Sequence, residues 1–259
     1  MLSKSRLSFL RALRQKKCRQ EQRLFVAEGT KLVNEILHSE FEVTSIYATP
    51  KWLKEHRESA SFANESVSAE KDELSRISSL VTASDVLAVV RIPERELVNE
   101  ELREGLVLVL DGVRDPGNMG TIIRIADWFG IDHVICSDDC AEIWNPKVVQ
   151  ASMGSLLRVK IHEKNLPKFF SDDAFRKMKI PVYGTFMSGE SVYETQPAKN
   201  GMIVIGNEAN GIEEAVEPFI TNRITIPAVA HPGKKTGGAE SLNAAIATAI
   251  VVAEFRRKA

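Results

Sequence analysis

The sequence predicts an α/β protein: a C-terminal domain built on a parallel sheet with helices on both faces, preceded by a smaller α/β unit. Three observations carry this. Strand-like and helix-like runs alternate through most of the chain. Leu106-Val107-Leu108-Val109-Leu110 is apolar at every position, the mark of a strand buried on both faces. Loops rich in glycine and polar residues directly follow strand candidates, which is where open α/β sheets bind ligands.

The elements read in order as follows. Met1 to Arg23 is a basic arm, with eight Lys or Arg residues against the single acid Glu21. Such an arm suits a polyanion, most often nucleic acid. Leu7, Leu10 and Leu13 recur at i, i+3, so a packed helix under a solvated basic face explains the arm equally well. Phe25-Val26 reads as a strand, Thr30–Leu37 as a helix, Val43–Ala48 as a strand, Pro50–Arg57 as a helix and Val86–Ile92 as a strand. The charged, proline-containing stretch that follows predicts a first domain over 1–98, a linker at 99–105 and a second domain over 106–259. In that second domain the strands are Leu106–Leu110, His133–Cys136, Leu157–Ile161, Val182–Thr185, Met202–Ile205 and Arg223–Ile226. Helices are expected around Ile122–Phe129, then over Asn145–Met153, Leu166–Met178 and Ser241–Arg257.

Composition bounds the function. The chain has 259 residues, 44% hydrophobic and 27% charged, as in a soluble globular protein, which excludes disorder, collagen and coiled coil. Three cysteines, Cys18, Cys136 and Cys140, are too few and of the wrong parity for a disulfide framework. Cys136 and Cys140 have no second cysteine pair, so no metal site is expected. The charged first residues argue against a secretory signal, and the apolar run around Ala244–Ala253 is too short to span a bilayer. These readings predict a cytoplasmic protein without membrane or metal.

Three strand-end loops hold the candidate chemistry. The first, Asp111 to Gly120, is glycine-rich and runs into a helix, the setting of an anion-binding turn. It departs from the dinucleotide fingerprint. Asn118 and Arg124 lie six residues apart there, and an Arg on a core-facing helix is costly to bury unless it snorkels or has a partner. The second is Gly206-Asn207-Glu208-Ala209-Asn210-Gly211. Its glycines permit positive φ or close approach, and a plain Asn-favoured turn is the simpler reading. The Glu is harder to explain by turn chemistry. In the third, Ile226-Pro227 leads through a long loop to Ser241-Leu242-Asn243. Ser241 suits a helix N-cap, and Asn243 is a poor helix former. Gly233-Lys234-Lys235-Thr236 lacks the P-loop register, which excludes that NTPase motif.

Together these segments resemble the three motifs of the SpoU (TrmH) RNA 2'-O-ribose methyltransferases. They are Asn118-x-Gly120-x-x-x-Arg124, Ile203-Val204-Ile205-Gly206-Asn207-Glu208 with Gly211, and Ile226-Pro227 with Ser241-Leu242-Asn243. Asn145 to Ser155, and Lys16-Lys17-Cys18-Arg19 with Phe25 to Gly29, are similar to the family as well. The resemblance covers nearly the whole chain. It implies a SPOUT-type domain with a trefoil knot, an L30e-like RNA-binding N-terminal domain, S-adenosylmethionine as cofactor and a homodimer with a shared active site. Its implied substrate is ribosomal RNA, with transfer RNA the alternative; a rival reading is an RNA-binding protein without catalysis. It assigns catalysis to Asn118, Arg124, Glu208, Ser241 and Asn243, with Arg124 as proton acceptor or as phosphate binder. It assigns the cofactor to Thr185, Phe186, Gly206, Asn207, Gly211, Ile226, Pro227 and Leu242. The RNA contacts fall to Lys4, Arg11, Arg14, Lys16, Lys17 and Arg19. The loop at 228–240 is longer and more basic than the usual family version.

Overall fold

The computed structural model describes residues 2–228 and 241–258; apart from Ala228, the long basic loop lies outside them. The chain forms two compact units, Met1–Glu94 with Glu142–Leu157, and Arg95–Ala141 with Arg158–Ala259. This differs from the expected division. The chain changes unit after Glu94, and Glu142–Leu157 packs with the first unit. The 99–105 stretch also differs from a free linker. It holds a 3-10 turn over Asn99–Arg103 whose Leu102 is fully buried.

The first unit opens with α1 (Lys4–Ala12) and α2 (Lys16–Gln22). Ser3 caps α1 by accepting the Arg6 N–H. Leu10 and Leu13 are buried in one core with Val26, Leu74, Ile77 and Val89. The arm is therefore a packed pair of helices with its cations outward except for the buried Arg19, and the leucine spacing allowed the packing. Next come β1 (Leu24–Glu28), α3 (Thr30–Leu37) and β2 (Val43–Ala48). The helix expected over Pro50–Arg57 is two, α4 (Pro50–Glu55) and α5 (Arg57–Ala60). Thr49 caps α4 through Trp52 N–H. β3 (Ser66–Ser68) and α6 (Lys71–Ile77) have no counterpart in the sequence reading. A capping box of Glu70 and Glu73 marks the start of α6, and its E-x-x-E spacing is visible in the sequence. β4 (Val86–Arg91) completes a sheet of order β1-β4-β2-β3, antiparallel except between β2 and β3.

The second unit begins with β5 (Leu106–Leu110), α7 (Pro116–Trp128) and β6 (His133–Cys136). The chain then re-enters the first unit, where α8 (Pro146–Ser152) lies against β1. Back in the second unit follow β7 (Lys160–Glu163), α9 (Leu166–Ser171), α10 (Asp173–Met178), β8 (Val182–Ser191), β9 (Gly201–Ile205), β10 (Asn222–Thr225) and α11 (Ala244–Lys258). The third strand thus starts later than Leu157, because Leu156 and Val159 are buried without strand pairing. The helix expected over Leu166–Met178 breaks at Asp172, whose carboxylate caps α10 through Ala174 N–H at 2.8 Å. β8 runs six residues past Thr185.

The six strands are parallel, in the order β10-β8-β9-β5-β6-β7. Every residue of β5 is buried, as its unbroken apolar run requires. Val107 and Val109 join a core with Phe170, Val182, Met202 and Val204. From β5 the chain steps outward to β6 and β7, then crosses to the other side for β8 to β10. β5 and β9 are hydrogen-bonded neighbours at that reversal, so the crevice beyond their carboxyl ends is a topological switch point.

Candidate active site

Two loops meet at the switch point. After β5, Gly112 turns the chain at φ +69°, and Asp115 then caps α7 by accepting Asn118 N–H at 2.8 Å. Pro116 follows at the first helical position, so Asp-Pro was the start signal. After β9, Asn207 and Gly211 pair as an isolated bridge, and Asn207 Oδ1 accepts the N–H groups of Ala209 and Asn210 at 2.9 and 3.1 Å. Asn207 Nδ2 donates to the Gly112 carbonyl at 2.8 Å, tying the loops together. Gly206 has no room for a side chain: an added Cβ would lie 2.3 Å from the carbonyl carbon of Gly211. Gly211 sits at φ +72°, where a side chain is strained.

A hydrogen-bond relay crosses between these loops and α11. Asn243 Oδ1 accepts Ala245 N–H at 3.0 Å and Ile246 N–H at 3.2 Å. Asn243, and not Ser241, is thus the cap of α11, which starts at Ala244 rather than Ser241. With its oxygen committed, Asn243 turns Nδ2 outward and donates to Asn118 Oδ1 at 2.9 Å. Asn118 must then present Nδ2, which donates to Glu208 Oε1 at 2.5 Å. A carboxylate only accepts, so the three side chains have one consistent orientation. Ser241 Oγ donates to the Glu208 carbonyl at 3.3 Å. Four of the five residues assigned to catalysis are therefore drawn together, from positions up to 125 residues apart.

Arg124 stands apart from the relay. Its side chain is exposed on α7, flanked by the buried Ile122, Ile123 and Ala126, so no burial cost arises. Among the described residues it makes no hydrogen bond or ion pair.

The residues assigned to the cofactor divide in two. Thr185 Oγ1 donates to the Val204 carbonyl at 3.0 Å, and Phe186 lies under the Arg223 guanidinium at 3.4 Å from its ring centre. Asn207 spends its side chain within the turn and on Gly112, which makes it an organiser of the site. Gly206 and Gly211 shape that turn, while Ile226, Pro227 and Leu242 lie just beyond β10 and just before α11. Leu242 is exposed. One contributor had no sequence-level assignment: Asp111, buried directly after β5, accepts Glu213 N–H at 2.7 Å and fixes the far end of the second loop. Burial pushes its carboxyl above the usual range, against the hydrogen bond from Glu213. Among the described residues no group of His, Cys, Asp and Glu is placed to hold a metal ion, and no helix is long and apolar enough to cross a membrane.

Of the six assigned RNA contacts, Lys4, Arg11, Arg14, Lys16 and Lys17 are exposed. Arg11 donates to the Arg76 carbonyl at 2.9 Å and Arg14 to the Ser78 carbonyl, so both satisfy the C-terminal end of α6. Arg19 does not fit the assignment. It is 2% exposed, is paired with Glu142 and donates Nη1 to the Leu13 carbonyl at 2.8 Å. Its partner lies 123 residues away, so the sequence offered no sign of the pairing.

Solved structures share this fold along the whole chain. A TrmH-family protein from Porphyromonas gingivalis matches over 100% of both chains with TM-score 0.87 and 41% identity. An AdoMet-bound rRNA methyltransferase from Sinorhizobium meliloti matches over 99% of this chain and 97% of its own, with TM-score 0.84 and 27% identity. The fold is that of the SPOUT-class α/β methyltransferases. The model of the SpoU rRNA Methylase family matches residues 105–253, and that of the MRM3-like substrate binding domain matches 4–88. The chain is also 30% identical over 248 residues, 94% of its length and 93% of the relative's, to the 23S rRNA (guanosine(2553)-2'-O)-methyltransferase RlmP of Bacillus subtilis (strain 168). The chain belongs to the SpoU rRNA methylase family.

Proposed function

We propose that this chain transfers a methyl group from S-adenosylmethionine to a ribose 2'-hydroxyl of RNA, with ribosomal RNA as the substrate. The observation that carries the reading is the Glu208–Asn118–Asn243 relay at the switch point, with the exposed Arg124 further along the helix that bears Asn118. The site suits the cofactor chemically. The 206–211 turn carries one carboxylate and no cation, which disfavours a pyrophosphate and is compatible with a sulfonium. Ile226 and Leu242 supply apolar surface for the adenosine.

Bound S-adenosylmethionine supplies an electrophilic methyl group; the chain's own residues supply order. Gly206, Gly211, Ile226, Pro227 and Leu242 hold the cofactor, with Thr185 and Phe186 behind them. Asn118 and Asn243 fix the Glu208 carboxylate, which orients the ribose, and Ser241 anchors the Glu208 backbone. Alignment of this kind is worth roughly 7–11 kcal/mol of barrier. Arg124 offers five N–H donors in a planar fork, so it binds an RNA phosphate bidentately. That role needs no deprotonated guanidinium, and its lack of a partner among the described residues favours it over the proton-acceptor role. The first unit binds RNA, with Lys4, Lys16 and Lys17 on its exposed face. The family's trefoil knot, a homodimer that shares its active sites, and a cytoplasmic location complete the proposal.

Methyl incorporation from tritiated S-adenosylmethionine into ribosomal RNA tests it, with mapping of 2'-O-methyl sites in cells lacking the protein. Arg124→Ala should lower kcat/KM by about 10–10²-fold, the loss of a charge-assisted phosphate contact, and leave S-adenosylhomocysteine binding intact. Saturable calorimetric binding of NAD, with none of S-adenosylhomocysteine, would refute the cofactor assignment.

A further inference from the structure

The first unit contains a pair of adjoining cavities that the methyl-transfer site does not use. One, of about 260 Å³, lies between β1, α8 and the Ser79-Leu80 segment. The other, of about 220 Å³, lies along the start of α3. Each falls below the roughly 300–1,000 Å³ of sites for drug-sized ligands, so each suits a single ring system. The cavities share two polar residues, Glu28 and Gln150. Val26, Leu80 and Val149 give the first its apolar walls.

Glu28 is the unusual member. Its carboxylate is buried, and the Ser78 hydroxyl and the Ser79 N–H, at 2.7 Å, donate to it. No cation pairs with it among the described residues. A buried carboxylate without a cation is costly unless its lone pairs are used. Two donors leave acceptor capacity on a group that lines both cavities. Gln150 adds one acceptor and two donors beside it. Exposed Lys147 borders the first cavity and exposed Lys31 the second. The chemistry is that of an apolar slot with an acceptor at its base, an amide on its wall and cations at its rim.

We propose that this slot takes an unpaired, unstacked base of the RNA substrate, away from the nucleotide that is methylated. The base presents N–H donors to Glu28 and pairs with Gln150, and Lys31 and Lys147 take the flanking phosphates. Proteins read RNA sequence mostly from such splayed bases, and Asp or Glu accepts from an exocyclic amine in base recognition. The site thus deepens the reading of the chain as an RNA methyltransferase, on which it rests.

The test uses the full chain with Ala151→Trp, which fills the first cavity from a half-exposed position, and Gln150→Leu, which removes the amide at nearly constant volume. Affinity for a fluorescent 23S rRNA transcript, KM and kcat for its methylation, and S-adenosylhomocysteine affinity are measured on each. Expected is an at least tenfold loss in RNA affinity and an equal rise in KM, with kcat at saturating RNA, cofactor affinity and melting temperature unchanged. Should Ala151→Trp fail to fold, Gln150→Leu carries the test. Wild-type values in folded variants, with the wild type active, would overturn the slot alone. Weakened RNA binding by the variants of a protein that methylates no RNA would keep the slot and overturn the enzymatic reading. Tight binding of guanosine 5'-monophosphate with RNA affinity unchanged in the variants would assign the slot to a free nucleotide and overturn its RNA role.

Discussion

Arg19→Ala separates a structural cation from an RNA-binding one. Arg19 is 2% exposed, and its Nε donates to Glu142 at 2.9 Å while Nη1 serves the Leu13 carbonyl. Truncation leaves Glu142, whose side chain is 9% exposed, as an uncompensated buried charge. Breaking such a pair costs about 3–5 kcal/mol. For a protein of this size that corresponds to a fall in melting temperature on the order of 10 °C. Arg19→Met with Glu142→Leu removes both charges and keeps apolar volume, so the double variant should recover most of the loss. Urea denaturation of the wild type, both single variants and the pair gives the coupling energy. A phosphate contact would behave otherwise, lowering the slope of log affinity against log salt by about 0.9 with unchanged melting. That second pattern would refute the structural role.

Two further outcomes follow from geometry. His162 is buried, and burial with the nearby His133 holds its imidazole at about 4 instead of 6.5. The fold therefore favours the neutral ring. Its contribution, roughly 3 kcal/mol, is complete above pH 6.5 and is lost as pH falls towards 4. Urea midpoints from pH 7.5 to 4.5 should drop less for His162→Phe than for wild type; identical profiles would assign the acid sensitivity elsewhere. Gly206→Ala puts a Cβ 2.3 Å from the backbone of Gly211, so the turn must open at a cost of about 1–3 kcal/mol. Calorimetry should show S-adenosylhomocysteine affinity reduced about tenfold or more, and undiminished affinity would remove the turn from the cofactor site.

What the sequence disclosed follows from how locally each feature is encoded. β5 could be read because five successive apolar residues leave no polar face. Thr30–Leu37 and Val43–Ala48 were legible to the residue, since each has one clear periodicity. β7 was placed too early because apolarity marks Leu156 and Val159 as buried without saying whether they pair. Asp172 was readable as a cap, yet the apolar pattern on either side masked the break. In the site, Glu208 and Asn243 stood out because turn and helix chemistry explain them poorly, but only the family resemblance joined them to Asn118, since a relay joining three loops leaves no local pattern. The burial of Arg19 and the membership of Glu142–Leu157 in the first unit were out of reach, because both depend on contacts between distant stretches.

That re-entry constrains biosynthesis. The chain passes between its units three times, after Glu94, Ala141 and Leu157. A ribosome that has released the first 94 residues has made β1 without the helix that covers it and Arg19 without its counterion. The first unit becomes complete only once Leu157 has emerged, when β5, α7 and β6 already await their own neighbours. Its folding therefore finishes in the middle of the synthesis of the second unit, and a fragment cut at the apparent boundary lacks part of its own core.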